Sequence, residues 1–349
     1  MDTRTVIITP ELLKLIAEID EFKGSWQSMQ SLSPDRLRSL RHVATIESIG
    51  SSTRIEGVKL SDKQVESLLS GLEAQSFETR DEQEVAGYAE VMETIYENAL
   101  DIPLTENYIK QFHISLLRHS TKDERHRGEY KKFPNSVEAF GPDGKSLGVV
   151  FETTTPFDTP LKMQELVRWA RETLQDGSLH PLIVIGVFIV TFLAIHPFQD
   201  GNGRLSRVLT SLLLLKAGYS YIPFASMESV IEKNKEAYYL NLRRTQATLG
   251  DDKTDWIPWL RFFLTSLKRQ KDHLTAKLDM HLSEGYKHLS AESILLLEYV
   301  TKHGRITTAE AHSLLNIPRP TVKARLTTLV KDGYITLHGK GRGSHYEKR

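Results

Sequence analysis

Two apolar runs separated by a short polar stretch constrain this chain more than anything else in it. Pro181–Ile195 and Leu205–Ala217 both carry helical apolar patterns dense enough to demand burial, so the polar residues between them sit at a joint between two core helices. The first run spans 15 residues, short of the about 20 that a membrane crossing needs, and is therefore a core helix. The joint reads His196-Pro197-Phe198-Gln199-Asp200-Gly201-Asn202-Gly203-Arg204-Leu205-Ser206-Arg207. Pro197 disfavours helical geometry at His196 and stops the first helix there, leaving a histidine at a helix end. Gly201 and Gly203 free the backbone around Asn202, so its N–H groups can turn inward as an anion nest at the N-terminus of the next helix. Arg204 and Arg207 are three apart and share a face of that helix, where they oppose the helix dipole unless an anion offsets them. Asp200 adds one carboxylate, which suits Mg²⁺ completed by phosphate oxygens and water. A base, an anion cradle, a metal carboxylate and two arginines describe phosphoryl- or nucleotidyl-transfer chemistry.

At each defined position this stretch resembles the signature of the Fic (filamentation induced by cAMP) family, H-P-F-x-D/E-G-N-G-R-x-x-R. A capped turn between core helices would explain the glycines, but not His, Asp, Asn and two Arg in so short a loop. The resemblance covers roughly residues 10–268. It implies a mainly α fold: a helical bundle with a β-hairpin flap, here followed by a small C-terminal winged helix-turn-helix.

Composition narrows the class. The 349 residues allow several domains. With 45 basic and 45 acidic side chains there is no global field to recruit nucleic acid or membrane. The absence of cysteine excludes disulfides, a thiol nucleophile and Cys-ligated zinc. Without a signal-peptide pattern or a spanning run, a cytoplasmic protein with no membrane partner is expected. The spacing divides the chain into an N-terminal helical region (1–100), a catalytic core (101–268), a helical linker (269–289) and a winged helix domain (290–349).

Within the N-terminal region, Ser51-Ser52-Thr53-Arg54-Ile55-Glu56-Gly57 closes a helical run begun at Asp35. Gly57 fits a C-terminal cap, which puts Glu56 in the last turn, where the dipole disfavours a carboxylate and a cationic partner is wanted. Ser52 to Gly57 also resembles the inhibitory motif S/T-x-x-x-E-G/N of Fic proteins that carry their inhibitor ahead of the core. That resemblance implies that Glu56 pairs with Arg207 and keeps the ATP γ-phosphate from settling, with Ser52 as the motif's first residue.

Helices are expected at Ser61–Leu72, Arg80–Ala99 and Thr105–His119, with His113 a packed, hydrogen-bonded core residue. Arg127-Gly128-Glu129-Tyr130-Lys131 resembles a recurring family segment of structural character. Between Phe133 and Pro160 the pattern becomes a hairpin turning at Gly141-Pro142-Asp143-Gly144. By resemblance this is the flap that holds a target segment by strand addition, with Gly148, Val149, Val150 and Phe151 bordering the nucleotide. Ile231–Thr248 reads as one helix, and the family's adenine-pocket pair falls on Tyr238 and Tyr239. Gln246 occupies a position where the family often has Asn, so that contact stays open. Trp256–Leu267 is a further helix.

From Ser290 onward, ten Lys and Arg face five Asp and Glu, a net of +5. A helix at Ser293–Thr301, a capping box of Thr307 and Glu310 opening the next, a helix opened by Pro320, and strands around Gly339–Gly343 read as a winged helix-turn-helix. Arg319, Lys323, Arg325, Lys340 and Arg342 offer a DNA face, although such modules also dock proteins.

The family resemblance implies a protein adenylyltransferase (AMPylator) using Mg·ATP on a Ser, Thr or Tyr hydroxyl of a target protein or of itself. His196 would be the base, Asp200 the Mg²⁺ ligand, Gly201, Asn202, Gly203 and Arg204 the phosphate cradle, and Arg207 the γ-phosphate grip. It also implies a homodimer, and some members run the reverse reaction, with the residue at the Glu56 position activating water. The alternative is a DNA-binding regulator whose helical body only senses nucleotide, and a phosphocholine-transferring or kinase-like variant stays open. No P-loop, H-E-x-x-H or G-x-S-x-G pattern offers a competing chemistry.

Overall fold

The computed structural model describes residues 6–29, 34–70, 77–140, 146–250, 254–282, 289–339 and 341–348. The chain divides into two units, one of Met1–Met29 and Thr45–Lys271, the other of Gln30–Ala44 and Asp272–Arg349.

The first unit draws on α1 (Pro10–Met29), α2 (Pro34–Ile55, from Thr45), α3 (Asp62–Leu69), α4 (Arg80–Asn98), α5 (Glu106–Leu116), the hairpin β1 (Ser136–Phe140) and β2 (Ser146–Glu152), α6 (Thr159–Asp176), α7 (Pro181–Ile195), α8 (Asn202–Lys216), α9 (Met227–Lys233), α10 (Lys235–Gln246) and α11 (Ile257–Leu282, to Lys271). Capping boxes at Ser61/Gln64 and Thr79/Glu82 open α3 and α4. As its all-round apolarity demands, α7 is the core helix, with nearly every side chain from Leu182 to Ile195 buried. It packs against α6 and α8, and Trp259 Nε1 of α11 donates to the Gly186 carbonyl at 2.7 Å. A Cβ at Gly186 would lie 2.7 Å from Leu260, so glycine is what lets α7 and α11 approach this closely. The α4–α5 crossing likewise depends on Gly87, whose added Cβ would strike the Leu116 carbonyl at 2.1 Å.

Two boundaries depart from expectation. The single helix expected over Ile231–Thr248 is two, broken at Asn234, whose side chain turns back to the Val230 carbonyl. Competition of that kind from an Asn amide interrupts helices. The helix expected to end at Leu267 runs on to Leu282, because the charged residues that follow are good helix formers with no Gly or Pro among them. The hairpin is present, with antiparallel pairs Val137↔Phe151, Glu138↔Val149 and Ala139↔Gly148 and two register shifts. Its expected turn at Gly141–Gly144 lies outside the described residues.

The second unit contains α12 (Ala291–His303), β3 (Arg305–Thr307), α13 (Thr308–Leu315), α14 (Arg319–Lys331), β4 (Ile335–His338) and β5 (His345–Lys348), with the antiparallel sheet order β3–β5–β4. The capping box forms as read: Glu310 N–H donates to Thr307 Oγ1 and Thr307 N–H to Glu310 Oε2. Ile294, Leu296, Val300, Ile306, Val322 and Leu326 make its core. Strand β3 escaped the sequence reading because three residues are too few to show alternation. Among the described residues no helix is long and apolar enough to cross a membrane.

Candidate active site

Residues 196–201 link the end of α7 to the start of α8. His196 caps α7 in the left-handed region (φ 52°), its N–H donating to the Phe192 carbonyl at 2.9 Å. Its Nδ1 lies 3.3 Å from the Leu193 carbonyl. A carbonyl only accepts, so this contact assigns the proton to Nδ1 and leaves Nε2 with its lone pair free, the state a general base requires. Burial lowers the His196 pKa to about 4, helped by the nearby Lys131 charge and opposed by the Leu193 carbonyl, Glu56 and Asp200.

The loop is tied by its own side chains. Asn202 Oδ1 accepts from Phe198 N–H at 2.9 Å and its Nδ2 donates to the Phe198 carbonyl at 2.7 Å, so the side chain of this cradle residue shapes the turn. Gly201 takes φ 79°, and Gly201 N–H donates to Asp200 Oδ1. Helix α8 starts at Asn202, and the first-turn N–H groups of any helix lack an intrahelical acceptor. His113 is in the core as expected, and its bonds go to this loop. Nδ1 accepts from Gly128 N–H at 2.8 Å, Nε2–H donates to the Asp200 carbonyl at 3.0 Å, and the ring stacks on Phe198 at 3.9 Å. Burial lowers its pKa to about 4.

Carboxylates from other elements offset both arginines, which resolves the conflict with the helix dipole. Arg204, 2% exposed, lies 3.0 Å from Glu84 of α4 and 3.6 Å from Asp200. Arg80 bridges Glu84 and Asp200 at 2.7 and 3.1 Å. Burial opposes ionisation of Asp200, but Arg204, the Gly201 N–H and Arg80 together hold its carboxyl below its ordinary range. Arg207 donates from Nε to Ser52 Oγ at 2.7 Å, and from Nη2 to the Ser52 carbonyl at 2.9 Å and Glu56 Oε1 at 2.8 Å. Burial works against the Arg207 charge, and Glu56 outweighs it. A Cβ on Gly203 would meet Glu56 Oε1 at 2.2 Å, so the Glu56 carboxylate lies on the cradle at the start of α8.

Glu56 sits one residue past the end of α2 rather than in its last turn, its N–H bonded to the Thr53 carbonyl, while Gly57 takes φ 107°. Arg54 anchors this end through a forked bond to Glu232 of α9 and a 2.9 Å contact to Asp62.

Of the aromatic pair, Tyr238 is buried beside Arg207 and Ser206 and packs edge-on against Trp259, whereas Tyr239 is only partly buried. Gln246 is buried. Helix α10 lies against β2, the strand that carries Gly148–Phe151. Among the described residues no group of three or more His, Cys, Asp or Glu is arranged for a metal, so Asp200 stands as a single carboxylate donor.

Sequence reasoning missed Glu84 and Arg80 as partners of Arg204 and Asp200. The Arg80–Glu84 spacing was a visible signal of an i,i+4 pair, but nothing local shows that Glu84 turns inward. On the second unit, Arg319 and Lys323 are exposed on α14. Arg325 is partly exposed on the same helix and faces Glu292 of α12 at 3.8 Å. The side chains of Lys340 and Arg342 lie outside the described residues.

Residues 103–214 match the Fic/DOC family, and residues 293–336 match a winged helix-turn-helix DNA-binding family. A protein adenylyltransferase Fic from Drosophila grimshawi is 26% identical over 321 residues, 91% of this chain and 59% of that protein. The chain spans about half the length of the curated relatives it matches. The crystal structure of a Fic family protein from Desulfovibrio desulfuricans covers 100% of this chain and 98% of its own at TM-score 0.61 and 22% identity, a likeness of fold. A Fic domain containing signaling protein from Bacteroides thetaiotaomicron is 26% identical, with 78% of this chain and 98% of that one covered at TM-score 0.61.

Proposed function

Because residues 103–214 are a Fic/DOC-family domain with the complete loop signature, we propose that this chain is a protein adenylyltransferase, moving AMP from ATP to a Ser, Thr or Tyr hydroxyl of a target protein. The observation that carries the reading is the pairing of an Nδ1-protonated His196 with the first turn of α8, across which Glu56 holds Arg207. Nε2 takes the proton from the target hydroxyl, the oxygen attacks the α-phosphorus, and the bond to the β-phosphate bridging oxygen breaks to release pyrophosphate. The backbone of Gly201–Gly203 and the Arg204 guanidinium face the developing negative charge. Arg207 grips the γ-phosphate after Glu56 leaves it, so Glu56 and Ser52 form the inhibitory clamp. Tyr239 and the strand Gly148–Phe151 border the base and ribose.

Magnesium fits the site: Asp200 is a partly exposed carboxylate held in its charged form, the hard oxygen donor that Mg²⁺ shares with phosphates. When bound, it would neutralise charge on the α- and β-phosphates.

The test is transfer of label from α-³²P-ATP to the protein itself or to a lysate protein. The expected outcome is labelling by the wild type and its loss in His196→Ala with ATP affinity unchanged. Equal labelling by both proteins refutes the base.

A second activity is supported by the winged helix match and by exposed Arg319 and Lys323 at the start of α14: reading DNA with that helix.

A further inference from the structure

The segment before the hairpin contributes nothing to the reaction just described, yet it buries a cation. Lys131 is 3% exposed, and its Nζ donates to Asn135 Oδ1 at 2.7 Å, Thr153 Oγ1 at 2.8 Å and the Ile195 carbonyl at 3.0 Å, which uses all three ammonium protons. Its backbone N–H donates to the Pro197 carbonyl at 2.8 Å. Ile195 is the last residue of α7, where the helix dipole favours a positive charge. Asn135 directly precedes β1 and Thr153 directly follows β2, and Thr153 Oγ1 also bonds Asn135, so the two feet of the hairpin close around the lysine. The Asn135 amide in turn reaches the carbonyls of Phe198 at 2.7 Å and His196 at 3.4 Å.

One buried ammonium therefore joins both feet of the hairpin to the end of α7 and to the peptides on either side of Pro197. Desolvating a lysine is costly, so packing alone would be better served by an apolar chain of the same length.

We propose that Lys131 is a positioning residue for the transfer, holding the hairpin in register with His196 so that a segment laid along the strand delivers its hydroxyl to Nε2. This rests on the adenylyl-transfer reading, but the joint itself can be measured without it. Lys131 also places its charge behind His196, where it opposes protonation of the ring against the pull of Glu56, Asp200 and the Leu193 carbonyl.

Two variants separate these effects. Lys131→Met keeps the length and removes charge and donors; Asn135→Leu breaks the joint and keeps the charge. In nucleotide-free protein, amide exchange of Ser136–Phe140 rises about tenfold or more in both variants, because local opening no longer breaks the lysine's bonds. In an NMR titration of the His196 ring, Lys131→Met moves the midpoint up by about half a pH unit or more, while Asn135→Leu leaves it in place. At saturating ATP, auto-labelling from α-³²P-ATP falls about tenfold in both. Unaltered exchange in the hairpin of Asn135→Leu overturns the proposal, and that variant decides it alone if Lys131→Met does not fold. If wild type shows no transfer, the adenylyl-transfer reading fails, and the exchange and titration results still decide whether Lys131 holds the hairpin to α7.

Discussion

Glu56→Gly separates two effects that the wild-type site keeps in opposition. The substitution removes the carboxylate 2.8 Å from Arg207 Nη2 but leaves both bonds from Arg207 to Ser52. Breaking a fully buried ion pair costs about 3–5 kcal/mol. Glu56 is 30% exposed and Ser52 still shares the guanidinium, so a loss of about 1–2 kcal/mol in folding stability is expected. Affinity moves the other way. The vacated Nη2 and the cradle at Gly203 become available to a γ-phosphate, and a charge-assisted hydrogen bond contributes about 1.5–3 kcal/mol. At 1.4 kcal/mol per decade, Mg·ATP should bind about 10–100-fold more tightly to the variant. ADP lacks the group concerned and should change by less than about threefold. Calorimetric titration of wild type and Glu56→Gly with both nucleotides gives the comparison, and labelling from α-³²P-ATP should rise in step with ATP affinity. If ATP and ADP affinities rise together, Glu56 acts by loosening the end of α2, and the argument from the γ-phosphate fails; unchanged labelling defeats the clamp altogether.

The remaining predictions concern protonation and DNA. Since the His196 ring is neutral above about 4, base catalysis should be flat through neutral pH and fall only as pH drops through about 4, as a pH–rate profile of auto-labelling will show. His113 has its folded pKa lowered from 6.5 to about 4, so the unfolded chain binds the extra proton between those values. Its contribution to stability is therefore complete above 6.5 and declines as pH falls towards 4, a loss of about 3 kcal/mol that His113→Gln should remove from urea unfolding compared at pH 7 and pH 4.5. The 349-residue chain should bind duplex DNA with an affinity that falls steeply with salt, and Lys323→Ala should weaken it; fluorescence anisotropy showing no salt-dependent binding would leave the winged unit without a nucleic-acid role.

How much of this was legible follows from where the information resides. The chemistry at the α7–α8 joint could be read directly, because a proline, two glycines and five polar residues are packed into the nine positions between two apolar runs. The Glu56–Arg207 contact could be anticipated from electrostatics, since a carboxylate at a helix C-terminus and an arginine near a helix N-terminus each needed a partner. Tyr238 and Tyr239 were adjacent in sequence, but adjacency says nothing about which ring turns inward, and the packing of Trp259 decided it.

What the chain determined by itself was therefore local: helix ends, capping boxes, the hairpin and the clustering of reactive groups, all set by neighbours a few residues away. Only the tertiary structure brought Glu84 to Arg204, Ser52 to Arg207, and Lys131 to the carbonyl of Ile195 across 64 residues of chain. Such partners belong to different elements of the chain, and the pull between a buried charge and a distant acceptor exists only once packing has excluded the water that would otherwise have satisfied both.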